Sequence, residues 1–344
     1  MEFVFTSDPG RDWDQFIGQY RNLVFFSSAW GRLLRDGLDA KIGYCALKEK
    51  DRKLLALPGV VLDYKLFRVF FASSPYGSFV GDHSYIPPFV ELLGRDLRRR
   101  GVDQIRMNSF PPFEREGRGL DGVEHRRCPD AVINILDLRG VTKEGLWDHY
   151  SRNVRRDIRR AHRNGIVVRR IEARHEVEQF YPLYLASLAR NRAAAKYPLQ
   201  WFYMFYEYLI REGEADLLLA LKDDLPVAGI SLVYSEDYAH YFMAGSRYEF
   251  LRHQPNEALL HRALEIAIDK GKRYFDFMSS DKEDVNLIRF KEKWGAEKIE
   301  FPSYVIDLRR RGCWLWSLSN SLLKNKTVAS ISRYVQGDQK VRPC

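Results

Sequence analysis

Two charged residues in one late segment of the chain have the types needed for acyl transfer. In YFDFMSSDKEDVNLIRFKEKWGA, a predicted strand carries Asp276, and a helix predicted to begin near Leu287 carries Phe290 and Lys291. When an amine attacks an ester or thioester carbonyl, a fixed ammonium beside the developing oxyanion lowers the barrier by about 3 kcal/mol. Lys291 and Asp276 are therefore candidate catalytic residues. The alternatives are that Lys291 extends over apolar surface and that Asp276 caps local backbone.

The segment SRNVRRDIRRAHRNG predicts a helix with one strongly basic face, whose apolar residues share the opposite side. At about 100° per residue the basic face spans an arc of roughly 140°. It consists of Arg152, Arg155, Arg156, Arg159, Arg160 and Arg163. Guanidinium groups present paired donors to phosphate oxygens, so Arg152, Asn153 and Arg156 are candidate substrate-binding residues. A solvated helix face is the alternative.

Aromatic and loop residues supply the remaining candidates for binding. Tyr241 and Phe242 lie on the predicted strand YAHYFMAGS; since strand neighbours face opposite sides, one can line a substrate channel while the other packs inside. Asn256 stands at the predicted start of the helix EALLHRALEIAIDKG, as the N-cap of a helix end that could hold an anion. Tyr76 and Gly77, in the loop SSPYGSFVGDHSYIPP, are candidates for the wall of an acceptor site, with a role in a turn as the alternative.

Composition excludes several classes of protein. The longest apolar runs fall far short of the roughly 20 residues needed to cross a bilayer, and the first residues lack a basic region followed by an apolar stretch, so we expect a cytoplasmic protein. The four cysteines have no C-x-x-C spacing and the eight histidines are scattered, so we expect neither a metal site nor a disulfide framework. The sequence gives no indication of a Ser-His-Asp arrangement. The net charge of +9 favours an anionic partner such as nucleic acid, an acidic membrane surface or a phosphorylated substrate.

The 344 residues are enough for two domains. The first part has a mixed α/β pattern, in which the strand candidates IGYCALKE, LLALPGVVL and LFRVFFAS precede the helix FVELLGRDLRRR, and strands QIRMNSF and VINILDL follow it. We place a domain boundary at the break between Arg139 and Lys143. This gives an N-terminal domain over 1–140 and a C-terminal domain over 141–310.

The second part is predicted to open with one helix from about Gly145 to Asn164, closed by Gly165. A strand VVRRIE, a long aromatic helical region and three strands follow, of which DLLLALKD and LPVAGISLVYSE should form a hairpin around Asp223 and Asp224. The helix EALLHRALEIAIDKG, the strand YFDFMSS and a last helix and strand complete it. This is the element order of an N-acetyltransferase domain, and the first part repeats a looser version of it.

Four motifs stand in this second part: S-x-N-x-R-R-x-I-R-R-A at 151–161, P-N-x-x-L-L at 255–260, F-D-F at 275–277 and F-K-x-K-W-G-A at 290–296. Together they resemble the Fem-type and cellulose-biosynthesis-protein-type acyltransferases of the GNAT superfamily. The resemblance covers about 146–306; in the first part it is weaker and rests on FFSSAW at 25–30 and S-P-Y-G at 74–77. It implies an α/β fold of tandem GNAT-like domains, each a mostly antiparallel central sheet flanked by helices.

The resemblance also implies transfer of an acyl or aminoacyl group to an amine of a cell-envelope precursor, in peptidoglycan or surface polysaccharide synthesis. The donor would lie in the second domain, and the first would hold most of the amine acceptor. Lys291 matches the lysine to which the family assigns stabilisation of transition-state charge, and Phe290 would help to wall the donor site. No tightly bound cofactor is expected, because the donor is a co-substrate, either acyl-coenzyme A or aminoacyl-tRNA.

The choice between these two donors stays open. Ordinary acetyltransferases hold the coenzyme A pyrophosphate with a Gly-rich turn before a helix, whereas this chain has SRYEFLRHQPNEA there. The missing turn favours aminoacyl-tRNA. The lack of a sustained heptad pattern, and so of the coiled-coil arm that Fem enzymes often carry, favours acyl-coenzyme A.

The C-terminal residues 311–344 form a basic and aromatic tail. LRRRGCWLWSLSNSLLKNK has the composition of an interfacial amphipathic helix, with packing back onto the enzyme as the alternative. Peripheral contact with the inner membrane face would suit a phosphorylated or lipid-linked amine acceptor. A function of another class also stays open: a non-catalytic scaffold that keeps the fold and binds RNA or a membrane surface through the arginine helix.

Overall fold

Apolar strand patterns along the chain form a mixed β-sheet flanked by helices in the computed structural model of the protein. The structure describes residues 1–20, 23–64, 67–112, 120 and 122–309. The tail predicted over 311–344 lies outside the described residues.

The strands of the described residues form a single sheet that runs through both halves of the chain. They are β1 Glu2–Thr6, β2 Lys41–Glu49, β3 Arg52–Asp63, β4 Arg68–Gly77, β5 Val80–Gly81, β6 Gln104–Ser109, β7 Arg126–Asp137, β8 Ile166–Arg170, β9 Ala215–Lys222, β10 Leu225–Tyr234, β11 Tyr238–Ser246, β12 Tyr274–Asp281 and β13 Glu297–Asp307. Their order is β1-β2-β3-β4-β6-β13-β7-β12-β11-β10-β9-β8, with β5 paired to β3. Only the pairs β4 with β6 and β11 with β12 are parallel among these, so the predicted mostly antiparallel α/β class is confirmed.

Helices connect the strands and cover their apolar faces. The described ones are α1 Trp13–Ile17, α2 Ser28–Leu38, α3 Ile86–Arg99, α4 Lys143–His149, α5 Arg152–Arg163, α6 Val177–Arg190, α7 Leu199–Phe205, α8 Pro255–Asp269 and α9 Val285–Glu292. A π-helical turn, Tyr206–Ile210, extends α7. Over the described part of the chain, no helix is both long and apolar enough to cross a membrane.

The two halves of the sheet are continuous because β13 lies between β6 and β7. β13 is antiparallel to both, and β7 also pairs with β12 on its other side. The boundary predicted at residue 140 follows β7 in sequence, yet both neighbours of β7 come from the C-terminal part. Strands from either side of residue 140 therefore interleave, which the sequence did not indicate, and the division into domains at 140 stays a prediction.

The start of the second part differs from its prediction. The single helix expected from Gly145 to Asn164 is two helices, α4 and α5, because Tyr150 is extended and the Ser151 hydroxyl caps α5. Gly165 follows α5 with a φ of 73°, as predicted for a residue that ends a helix. The apolar side of α5 packs in the core beside α8, also as predicted.

Two turns that matter for the site were predicted with different success. The hairpin between β9 and β10 is confirmed, since Asp223 and Asp224 have φ values of 50° and 61°, as a tight two-residue turn requires. The N-cap prediction for Asn256 is wrong. Left-handed Gln254 precedes α8 and Pro255 occupies its first position, so Asn256 is the second helical residue.

Candidate active site

The central parallel strands separate where the predicted catalytic residues lie. β11 and β12 are paired from Tyr238–Tyr274 to His240–Asp276, and no pairing between them continues beyond this point. There β12 forms a bulge: its register against β7 shifts after Asp276, and Met278 adopts a left-handed φ of 61°. The sheet therefore has an opening between the carboxyl ends of two adjacent strands, called here the β11–β12 opening.

Asp276 and Lys291 each form a hydrogen bond with the backbone of Met278 in this bulge. Met278 N–H donates to Asp276 Oδ1 at 2.8 Å, and Lys291 Nζ donates to Met278 O at 2.7 Å. Lys291 Nζ also donates to Ser280 Oγ at 2.7 Å and approaches Ser279 O at 3.4 Å. The structure thus brings both candidate catalytic residues to the β11–β12 opening and gives them a shared structural role there.

The Lys291 ammonium is almost completely buried, with 2% of the residue exposed. Burial lowers its pKa to about 8, while the nearby charges of Asp276 and Asp284 act in the opposite direction. Both protonation states are accessible near neutral pH. The three acceptors in the bulge match its three hydrogens, so an oxyanion would have to replace one of these contacts. The catalytic role of Lys291 stays a prediction.

Asp276 is fully buried and accepts from three donors. Besides Met278 N–H, these are the Tyr76 hydroxyl, 2.7 Å from Oδ2, and His240 Nδ1, 2.9 Å from the same oxygen. These three donors satisfy the oxygens of a buried carboxylate. Tyr76 comes from β4 and Asp276 from β12, so this contact joins the two halves of the chain.

The placement of Tyr76 corrects its predicted role in the wall of an acceptor site. The residue has no exposed surface and its hydroxyl is directed at Asp276 rather than into an open cleft. Burial, followed by the Asp276 charge, raises its pKa well above the ordinary value. Gly77 next to it is required by packing, since a Cβ there would lie 1.8 Å from the Ala72 carbonyl oxygen. Tyr76 and Gly77 thus lie at the end of β4 rather than in the predicted loop, and they support the site from within the core.

The N-terminus of α8 lies beside the segment that follows Lys291. Glu257, in the first turn, is buried and forms an ion pair of 2.8 Å with Lys293. Lys293 Nζ also lies 4.5 Å from the centre of the Phe290 ring. Burial first, and then the charge of Glu257, raises the pKa of Tyr241. Phe290 and Tyr241 thus lie close to a carboxylate that occupies the helix end expected to attract an anion.

Tyr241 and Phe242 face opposite sides of β11, as predicted. The Tyr241 ring contacts Phe277 with centroids 6.2 Å apart. Phe242 packs on Trp30 and Trp201, at 5.4 Å and 5.9 Å. Asn256 is partly buried beside Glu257 at the start of α8.

The basic face of α5 lies on the surface of the protein. Arg152, Asn153 and Arg156 are exposed, and Arg156 pairs with its neighbour Asp157 at 3.0 Å. At the other end, Arg160 is close enough to His253 to help lower its pKa, after burial and the charges of Arg252 and Lys222. The three predicted binding residues are therefore at the far end of a basic surface that reaches the start of α8 through Arg160.

Sequence reasoning missed His240, Ser235 and Lys293. His240 Nε2 lies 2.8 Å from Ser235 Oγ, and Nδ1 bonds Asp276, so the expectation that the chain has no Ser-His-Asp arrangement is wrong. Strand periodicity could have placed His240 on one face with Phe242, but not beside Asp276 of another strand. Across the described residues, no group of His, Cys, Asp and Glu could hold a metal ion.

The fold, with its opening between two parallel strands, resembles that of GNAT acyltransferases. Residues 148–292 match the family described as acetyltransferase (GNAT) domain. No curated protein matches the chain in sequence.

Solved structures show how the whole chain is built. FemX has a TM-score of 0.67 at 15% identity, over 92% of this chain and 99% of FemX. A tandem GNAT protein from the clavulanic acid biosynthesis pathway has a TM-score of 0.57 at 14% identity, over 89% of this chain and 99% of that protein. L-PGS from Bacillus licheniformis has a TM-score of 0.58 at 14% identity, over 88% and 93%. The chain thus shares its fold with FemX and with the tandem GNAT protein, and the resemblance to Fem-type proteins is confirmed for the fold.

Proposed function

We propose that this protein transfers an acyl or aminoacyl group from an ester or thioester donor to an amine of a cell-envelope precursor. The observation that carries the proposal is the β11–β12 opening, where Asp276 and Lys291 hold the bulge and Tyr241 and Phe290 lie at the start of α8. A carbonyl placed there would meet a buried ammonium at the point where two parallel strands diverge.

The reaction proceeds by direct attack in a ternary complex. The amine nitrogen bonds to the donor carbonyl carbon, and the carbonyl oxygen takes the negative charge. The thiolate or alkoxide leaves as the carbonyl re-forms, and it takes the proton that the amine nitrogen loses. The enzyme contributes positioning, together with the charge of Lys291 in a site with little water. Lys291 stabilises the oxyanion as an ammonium, so transfer depends on its protonated form.

The donor carries phosphates in either version of the proposal. Acyl-coenzyme A and aminoacyl-tRNA would both lie along the basic surface from α5 to Arg252 and His253. Glu257 at the first turn of α8 is already paired with Lys293, so the charge at this helix end does not choose between the two donors.

The acceptor is a phosphorylated or lipid-linked amine, in peptidoglycan or surface polysaccharide synthesis. Two proteins with the same fold, FemX and the L-PGS protein, support an acceptor of this kind. The net charge of +9 suits an acceptor with phosphate groups and a position on the inner face of the membrane, reached from the cytoplasm.

The first experiment compares the melting temperature of the protein with acetyl-coenzyme A, a longer acyl-coenzyme A and charged tRNA. A ligand that binds only the native state raises this temperature. A rise with one donor, accompanied by transfer of a radiolabelled acyl group to an amine acceptor, supports the proposal and identifies the donor. Binding of both charged and uncharged tRNA with equal affinity and no transfer would instead support the anion-binding scaffold, which the exposed arginines of α5 favour.

A further inference from the structure

Ser235, His240 and Asp276 have the geometry of a serine nucleophile with its base and orienting carboxylate. Ser235 Oγ lies 2.8 Å from His240 Nε2, and His240 Nδ1 lies 2.9 Å from Asp276 Oδ2. A carboxylate that already accepts from Tyr76 and Met278 holds the ring hydrogen on Nδ1. The lone pair of Nε2 then faces the serine hydroxyl, as a general base requires.

The serine borders a cavity that is separate from the β11–β12 opening. The cavity has a volume of about 620 Å³ and lies between the start of α2 and the turn that joins β10 to β11. Ser235 is on its wall, whereas Met278 and Lys291 are not. Ser235 is 5% exposed, and it lines this cavity. A substrate in the cavity would thus reach the nucleophile without entering the transfer site.

The N-terminus of α2 supplies positive polarity beside the serine. Ser28 and Ala29, in the first turn of this 11-residue helix, line the cavity. The backbone N–H of Val24, which precedes the helix, donates to Ser235 Oγ at 3.0 Å. Lys272 lies on the same wall. The Val24 N–H thus positions the serine oxygen, and the N–H groups of Ser28 and Trp30 are held by Asp14 and Ser27. The charge of Lys272 and the polarity of the helix end are what this wall offers to an oxyanion that forms when the serine attacks a carbonyl.

The cavity favours a substrate with a positive charge. Its carboxylates outnumber its cations, Arg32 and Lys272, and comprise Asp14, Glu207, Glu212, Glu214 and Glu236. Glu214 Oε2 is buried, and within the described chain it has no hydrogen-bond partner. A buried carboxylate oxygen needs a hydrogen-bond donor, which a ligand or a water molecule in the cavity can supply.

We infer that this cavity is a second active site, which hydrolyses small esters or thioesters that carry a cationic group. Ser235 Oγ bonds to the carbonyl carbon while its proton passes to His240 Nε2. The thiolate or alkoxide leaves with that proton, and an acyl-serine remains. Water then attacks the acyl carbon and gives a proton to Nε2, and the serine regains it as the carboxylic acid departs. Asp276 acts as a positioning residue for the imidazole.

The test uses the full chain with two probes. A fluorophosphonate, which phosphonylates activated serines, is followed by intact mass and by the mass of the modified peptide. Hydrolysis of acetylthiocholine, which is cationic, is compared with that of neutral S-ethyl thioacetate by release of thiol. Ser231→Ala is the matched control, because Ser231 is buried on the adjacent strand β10 and its hydroxyl has no partner in the described chain.

We expect one fluorophosphonate on Ser235 and faster hydrolysis of the cationic thioester. Ser235→Ala and His240→Gln should each reduce hydrolysis at least 100-fold, and the double variant should lose no more than the single ones, since the residues act as a unit. Ser231→Ala should retain labelling. A wild-type protein whose Ser235 peptide stays unmodified, or a Ser235→Ala variant that hydrolyses acetylthiocholine at the wild-type rate, overturns the inference. Neither result depends on whether the protein transfers acyl groups to amines.

Discussion

Replacing Lys291 with methionine should change how the stability of the protein depends on pH. Burial lowers the pKa of Lys291 from 10.5 to about 8, so the folded protein binds this proton more weakly than the unfolded chain does. Below about pH 8 the lysine is charged in both states and the cost of burying the charge is complete. As pH rises through the interval from 8 to 10.5, the folded state loses the proton first and wild-type stability increases.

The size of the effect follows from the shift. A difference of about 2.5 pKa units corresponds to about 3.4 kcal/mol, of which about 2.5 kcal/mol is recovered between pH 7 and pH 10. Lys291→Met keeps the length of the side chain and has no proton to exchange. The free energy of unfolding of the wild type, minus that of Lys291→Met, should therefore rise by about 2.5 kcal/mol over this range.

Guanidinium denaturation at pH 7, 8, 9 and 10 measures this difference, because other titrating groups contribute equally to both proteins. Lys293→Met is the matched control, because Lys293 lies in the same motif, is more exposed and pairs with Glu257. This variant keeps Lys291, so its free energy of unfolding should rise with pH as that of the wild type does. A difference between wild type and Lys291→Met that is constant with pH would show that the ammonium is not buried as described.

Three further changes test other parts of the site. Gly77→Ala should destabilise the fold by about 3 kcal/mol, since its Cβ would collide with the Ala72 carbonyl oxygen, and a melting temperature equal to that of the wild type would contradict this packing. Asp276→Asn should lower the free energy of unfolding by about 2–3 kcal/mol in denaturation experiments, because an amide cannot accept from all three donors that face the carboxylate. An unchanged free energy of unfolding would show that these hydrogen bonds do not form. Arg160→Gln should weaken donor binding several-fold and reduce the salt dependence of binding by about one phosphate contact. Arg98→Gln on α3 is the control and should change neither quantity. If binding titrations show the same loss of affinity for both variants, the basic surface beside α8 has no special role in donor binding.

Periodicity in the sequence was enough to predict most of the fold. The hairpin at Asp223 and Asp224, the end of α5 at Gly165 and the buried side of α5 follow from local turn chemistry and helical spacing, and the structure confirms them. The N-cap prediction for Asn256 was wrong, because Pro255 occupies the first helical position of α8 and leaves Asn256 inside the helix. They also missed the break at Tyr150, because the Ser151 cap competes with a continuous helix.

The site was only partly predictable because its contacts join distant parts of the chain. Asp276 and Lys291 could be selected by motif, and both lie at the β11–β12 opening. The partner of Asp276 on β4, Tyr76, is 200 positions away in sequence, and the position of β13 between β6 and β7 is a long-range pairing. No local pattern encodes such contacts, so the Tyr76–Asp276–His240 cluster was visible only in three dimensions.

The central claim is that acyl transfer takes place at the β11–β12 opening with Lys291 as the stabilising charge. Its most direct test is single-turnover transfer from the donor identified by melting temperature to an amine acceptor, with wild type, Lys291→Met and Lys293→Met compared at equal donor saturation. We predict transfer by the wild type and a rate at least about 100-fold lower for Lys291→Met with donor affinity preserved. Lys293→Met should retain most of the rate. Transfer by Lys291→Met at the wild-type rate would contradict the claim.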